Sequence, residues 1–174
     1  RISGGGNHAR DLFFIHPVPG NSGGQAGAAR GNAMELIRVE NLHKSFRQER
    51  AEVPVVRGIN LSISLGEMVA ITGASGAGKS TLLHLLGTLE VPTQGHVFYD
   101  GRNVFRYSER ELCRFRNRHL GFVFQFHYLL LEFSALENVM MPGLIAGFSR
   151  TQMKERAEGV LKQVGLSHRL THRP

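Results

Sequence analysis

Residues 73–80 read GASGAGKS, three glycines within six positions and then the pair Lys79 and Ser80, followed by Thr81. Few segments constrain a chain so narrowly. A triphosphate concentrates negative charge. Holding it without side-chain bulk requires consecutive backbone N–H groups turned inward, with a helix N-terminus behind them. Gly73, Gly76 and Gly78 let the loop wrap that closely, and Ala74, Ser75 and Ala77 complete the nucleotide-binding run. Lys79 supplies a point charge for the β- and γ-phosphates, Ser80 a hydroxyl for Mg²⁺, and Thr81 a further donor at the start of the helix. By accident the pattern arises in about one chain in a hundred of this length, too rarely for a ligand-free glycine turn to be the better account.

The flanks agree with the loop. An apolar run over residues 68–72 leads straight into it, and residues 80–86 are rich in Leu with helical character, giving the strand, loop and helix that a P-loop requires. Upstream, residues 36–42 and 53–65 alternate loosely between apolar and polar, as half-buried strands do. Residues 95–99 followed by Asp100-Gly101 predict a strand entering a tight turn, in an antiparallel region. Three capping boxes predict helix starts: Ser108 with Glu111, Ser134 with Glu137, and Ser149 with Gln152. The last helix is expected to bury Met153, Ala157, Val160, Leu161 and Val164 and to stop at Gly165. Residues 120–124, LGFVF, form a short strand candidate.

At 174 residues and 41% hydrophobic composition the chain has material for one globular unit. Residues 1–33, rich in Gly, Ala, Asn and Ser without a sustained period, are expected to be a flexible leader outside the fold. No apolar run approaches the ~20 residues a membrane-crossing helix needs. A formal charge of +7 suits an anionic partner, but no nucleic-acid recognition motif accompanies it, so nucleic acid is not among the expected partners. Arg106, Arg110, Arg114 and Arg118 recur every four residues as a basic stripe, read as a solvated face before contact with headgroups or an acidic partner. His168 and His172 have helical spacing but no HExxH glutamate, so no metal is assigned to them. The single cysteine, Cys113, cannot form an internal disulfide and is expected to be buried or half-buried beside Leu112 and Phe115.

A P-loop alone serves kinases, GTPases, motors and transporters alike. The rest of the chain is more specific. ENLHKSF, then GEMVAITGASGAGKSTLLHLLGTLEVPTQGHVFYDG, then GFVFQFHYLL and SALENVMMP together resemble the nucleotide-binding subunit of ABC transporters over residues 34–174. Within that family QFHYLL and ALENV are most similar to the ATPase of bacterial lipoprotein-releasing systems, with macrolide-export and cell-division relatives close by. The resemblance implies an α/β fold: a P-loop NTPase core, a small antiparallel β subdomain and the start of a helical subdomain. It implies ATP and Mg²⁺ as cofactors. Phe46 falls where the family places an aromatic ring against adenine, and Gln125 matches the glutamine that approaches Mg²⁺ and the attacking water. Lys79 and Gln125 are therefore the catalytic candidates, and Ser80 and Gln125 the metal candidates.

By the same resemblance the apolar stretch QFHYLLLEFSALENVMM, from Gln125 to Met141, receives a helix of an integral membrane permease. One departure falls inside it, where Leu129, Leu130 and Leu131 stand in place of the family's LLP. A second ATP-binding subunit would complete a homodimer, peripheral to the cytoplasmic face of the bacterial inner membrane. The family's signature motif, its Mg²⁺-binding Asp and its catalytic Glu are found nowhere in the 174 residues, so the chain reads as the front part of such an ATPase, inactive alone.

Overall fold

The computed structural model describes residues 12–15, 34–48, 51–124 and 126–174. The chain divides into two compact units, Arg1–Val123 and Phe124–Pro174.

The first unit is built on a long antiparallel hairpin of β2 (Glu35–Gln48) and β3 (Ala51–Ser64), preceded in the chain by β1 (Leu12–Ile15). Strands β4 (Gln94–Tyr99) and β5 (Arg102–Asn103) extend it into a four-stranded sheet of order β3-β2-β4-β5. The expected tight turn joins these two: Asp100 and Gly101 both have positive φ, 47° and 73°, as a two-residue primed turn requires. Ile37 pairs with Tyr99 and Val39 with Val97 across β2 and β4. All four are buried, because alternate residues of a strand share a face. Against that face lies α1 (Lys79–Leu86), which buries Leu82, Leu85 and Leu86. Each such side chain contributes about 2 kcal/mol by leaving water. Tyr99 Oη donates to Leu86 O at 2.6 Å, fixing the sheet to the end of α1, and its burial pushes the phenol pKa well above the ordinary value. Helix α2 (Glu109–His119) and β6 (Leu120–Val123) complete the unit, β6 pairing antiparallel with β1.

Two expectations need adjusting here. Residues 12–15 of the leader, LFFI, form β1, since a β-prone apolar run beside an available edge gains ladder bonds by pairing. The remainder of residues 1–33 lies outside the described residues. Residues 68–72 are not a strand; Met68 is 98% and Val69 52% exposed. An extended run without a hydrogen-bonded neighbour has no ladder to hold it, and among the described residues none pairs with this one.

The second unit is a helical hairpin of α3 (Ala135–Ile145) and α4 (Arg150–Gln163). Met140, Met153 and Ala157 are buried between them with Leu136 and Leu144 packed alongside. Gly143 lies so close to Met153 that a side chain there would displace the thioether. All three capping boxes form, at Ser108, Ser134 and Ser149. Helix α4 ends as Gly165 predicts: its φ is 76°, Leu166 N bonds Leu161 O and Gly165 N bonds Lys162 O, closing a Schellman motif. Val160 and Val164, expected on the buried face, are instead 49% and 63% exposed. On α4 only the narrow stripe of Met153, Ala157 and Leu161 is buried, and the two valines fall beside it.

Candidate functional site

Local sequence dictates the loop geometry. Gly73, Gly76 and Gly78 all have positive φ, at 155°, 75° and 86°, values an L side chain adopts only under strain. Gly78 meets a second demand. A Cβ there would stand 2.9 Å from both Cγ1 and the carbonyl oxygen of Val55 in β3, so only a glycine lets the loop rest on the hairpin. Helix α1 begins at Lys79 immediately after, and its N-cap Gly78 offers no side-chain hydrogen bond. The contrast with the other three helices is chemical. They close their N-termini with serine capping boxes, whereas α1 turns its first-turn N–H groups toward an exposed loop. Lys79 Nζ lies at the mouth of that loop, donating to Gly73 O at 3.0 Å and Ala74 O at 2.6 Å. Ser80 is exposed on the first turn and Thr81 half-buried beside it. Uncapped dipole, left-handed glycines and an ammonium together suit a phosphate chain.

The hairpin brings Phe46 into the same unit. Phe46 pairs with Val53, and Val55, two residues on, carries Gly78. Two residues of strand amount to ~7 Å, so the ring stands within a nucleotide's reach of the loop. It is 37% exposed, with the ammonium of Lys44 4.9 Å from its centroid. No motif marks Lys44 in the sequence. Its spacing, two positions before an aromatic in a strand, was the available signal.

Gln125, the expected catalytic and metal-approaching glutamine, lies outside the described residues. After it comes an exposed apolar run in the second unit: Phe126 is 64%, Tyr128 70% and Leu131 66% exposed. Leu129 and Leu130 are exposed as well. Phe133 is half-buried, and Leu136 packs against the α3–α4 core. One residue organises this run. Asn138 accepts from Leu130 N at 2.9 Å and donates through Nδ2 to the carbonyls of Leu130, Phe133 and Ser134 at 3.0–3.1 Å. No sequence pattern marks it, since these bonds reach back up to eight residues and follow no periodic spacing.

The remaining candidates are peripheral. Cys113 is exposed rather than buried, because Leu112, Phe115, Arg116 and His119 form the inward face of α2 and residue 113 is turned away from it. Its thiol accepts from Arg116 Nη2 at 3.0 Å. Arg106, Arg110, Arg114 and Arg118 are all exposed, as a solvated stripe would be. No group of three His, Cys, Asp or Glu that could hold a metal occurs among the described residues. The Ser80 hydroxyl, together with phosphate oxygens and water, is a donor set that would suit Mg²⁺. No helix among the described residues is long and apolar enough to cross a membrane.

Comparison with known proteins follows the same lines. Residues 56–174 match the ABC transporter family. The lipoprotein-releasing system ATP-binding protein LolD of Geobacter metallireducens is 53% identical over 139 residues, which are 80% of this chain and 62% of that protein. The LolD of Xanthomonas campestris is 50% identical over 151 residues, 87% of this chain and 62% of the relative. Among solved structures, a dimeric post-hydrolysis state of the ATP-binding cassette MJ0796 bound to ADP and Pi aligns with a TM-score of 0.74 at 33% identity, covering 80% of this chain and 62% of that one. The chain thus spans about 62% of the length of the curated relatives it matches.

Proposed function

This chain belongs to the ABC transporter family, and from that premise we propose that it binds Mg-ATP at residues 73–81 to power the export of lipoproteins from the inner membrane. The uncapped N-terminus of α1 behind three left-handed glycines carries the reading, because it leaves oriented N–H groups and a helix dipole facing an exposed loop. In that site the loop N–H groups and the Lys79 ammonium hold the phosphates. Phe46 stacks on the purine base, and Ser80 orients the hydrated Mg²⁺, which neutralises phosphate charge when bound.

Further partners follow from the second unit and from the relatives. The exposed run of Phe126, Tyr128 and Leu129–Leu131 is apolar enough to seat a helix of a membrane permease, with Gln125 at its head to sense nucleotide. A second ATP-binding subunit faces the nucleotide across a homodimer, as the dimeric form of the solved relative supports. The assembly then lies on the cytoplasmic side of the inner membrane. Hydrolysis requires a carboxylate base that no motif assigns within the 174 residues, so nucleotide capture is the task of this segment and turnover above a Lys79→Ala control is not expected from it.

The test is calorimetry of Mg-ATP with the chain and its Lys79→Ala variant. Loss of charge-assisted bonds worth about 1.5–3 kcal/mol should weaken binding roughly 10- to 100-fold. Equal affinity in a folded variant refutes the assignment.

A further inference from the structure

We propose that Lys44 is a positioning residue for the base, holding the ring of Phe46 at a fixed distance from the phosphate-binding helix. The inference rests on the reading of Phe46 as the base platform and adds a device that sets the platform's place. Lys44 and Phe46 are two residues apart in β2 and so share a face of the sheet. The ammonium lies 4.9 Å from the ring centroid, where the negative face of the aromatic quadrupole attracts it. It is anchored from the other side as well. Lys44 Nζ donates to Val91 O at 2.9 Å and pairs with Glu90 Oε2 at 2.8 Å, and its side chain is only 14% exposed. An ion pair so placed is far better defined than the exposed pairs elsewhere in the chain.

The anchor leads to α1. Leu89 N and Glu90 N both bond His84 O, at 2.8 and 3.2 Å, which makes residues 89–90 a continuation of the helix end. Thr93 reinforces the seam, donating its N–H to His43 O at 2.9 Å and accepting from Ser45 N at 3.0 Å through Oγ1. The phosphate-binding helix, the segment after it, the Lys44 ammonium and the Phe46 ring therefore form one connected series. With a cation over the ring, the exposure that remains, 37% of the residue, is apolar surface on which a purine can stack. Lys44 does not itself touch the base.

The consequence is selective. Losing Lys44 should weaken a ligand that has a base and spare one that has only phosphates. Calorimetry on the chain, with Mg-ATP and with magnesium tripolyphosphate as probes, reads the difference. Lys44→Met is expected to lower Mg-ATP affinity about fivefold, the size of a partly desolvated cation–π contact, while tripolyphosphate stays within about twofold. Lys44→Arg should restore ATP binding, since a guanidinium also stacks on an aromatic face. In a Phe46→Ala background Lys44→Met should cost nothing more. Equal weakening of both probes, or no change in either, overturns the proposal. Should Lys44→Met fail to fold, Glu90→Gln, which removes the charged half of the anchor and leaves the Val91 carbonyl, must show a weaker selectivity of the same sign for ATP over tripolyphosphate or the proposal fails. If Phe46→Ala itself leaves the ratio of the two affinities unchanged, the base platform falls and Lys44's role with it. A strong Phe46 effect beside a silent Lys44→Met overturns Lys44 alone.

Discussion

Alanine at two glycines of the same loop should behave differently, and the structure gives the size of the difference. Gly76 has φ 75° and open space for a Cβ, with nothing within 4 Å. Gly76→Ala therefore carries only the left-handed penalty of about 1–2 kcal/mol. Gly78 has φ 86° and the same penalty, and its Cβ would also stand 2.9 Å from Val55 Cγ1 and from Val55 O. The methyl yields only by leaving its rotamer, and the carbonyl is backbone held between the paired residues Pro54 and Val56, so both must give, at about 1–3 kcal/mol. Gly78→Ala then totals about 3 kcal/mol, a fall in Tm of roughly 6–12 °C for a chain of this size, against about 2–8 °C for Gly76→Ala. Thermal unfolding followed by circular dichroism measures both. Trimming the partner, Val55→Ala, should recover part of the Gly78→Ala loss, because it removes one of the two obstructing atoms. A Gly78→Ala chain as stable as Gly76→Ala, or one that Val55→Ala leaves unimproved, refutes the claim that the loop rests on the hairpin through Gly78.

Other outcomes follow from the second unit. Asn138→Ala should cost about 2 kcal/mol through its lost backbone bonds and speed amide exchange at Leu130 and Phe133, leaving the first unit unaffected; unchanged protection there would count against the clamp. Backbone and side-chain bonds from Ser134 hold the Glu137 carboxyl below the ordinary carboxylate range, and side-chain and backbone bonds from Ser108 do the same for Glu111. Both pKa values are depressed by folding, so the stability they supply is complete above the ordinary carboxylate pKa and lost as pH falls through the lowered values. Denaturant unfolding should show Ser134→Ala below the parent at about pH 7 and approaching it near pH 2, and a gap that does not change with pH would contradict this.

The parts legible in the sequence are those whose cause is local. GASGAGKS states its own backbone, since glycine is the residue that left-handed positions require. Ser108, Ser134 and Ser149 each announce a helix three residues ahead of a Glu or Gln, and Asp100-Gly101 states its turn. What escaped depends on neighbours distant in the chain. Residues 68–72 have the composition of a strand, yet pairing is a property of two segments. Val160 and Val164 continue the period of α4, but how wide a face is buried depends on what packs against it. Cys113 sits next to Leu112 in sequence and a hundred degrees from it around the helix. Phe46 could be placed by family likeness, whereas Lys44 acquires its role only once residues 90–93 come alongside.

Among the described residues strand β3 lies at one margin of its sheet, and fourteen residues of margin would ordinarily invite a second chain to add itself there. Pro54 interrupts the invitation. It stands opposite Ser45, whose N–H is spent on Thr93, and it has no N–H of its own to offer outward. Its carbonyl is occupied too, accepting from Arg57 Nε at 3.3 Å. An incoming strand would meet a missing donor and an engaged acceptor at the same place, beside the charged side chains of Glu52 and Arg57. The hairpin that supports the phosphate loop can thus be long enough to reach Phe46 without offering its whole edge to strand addition.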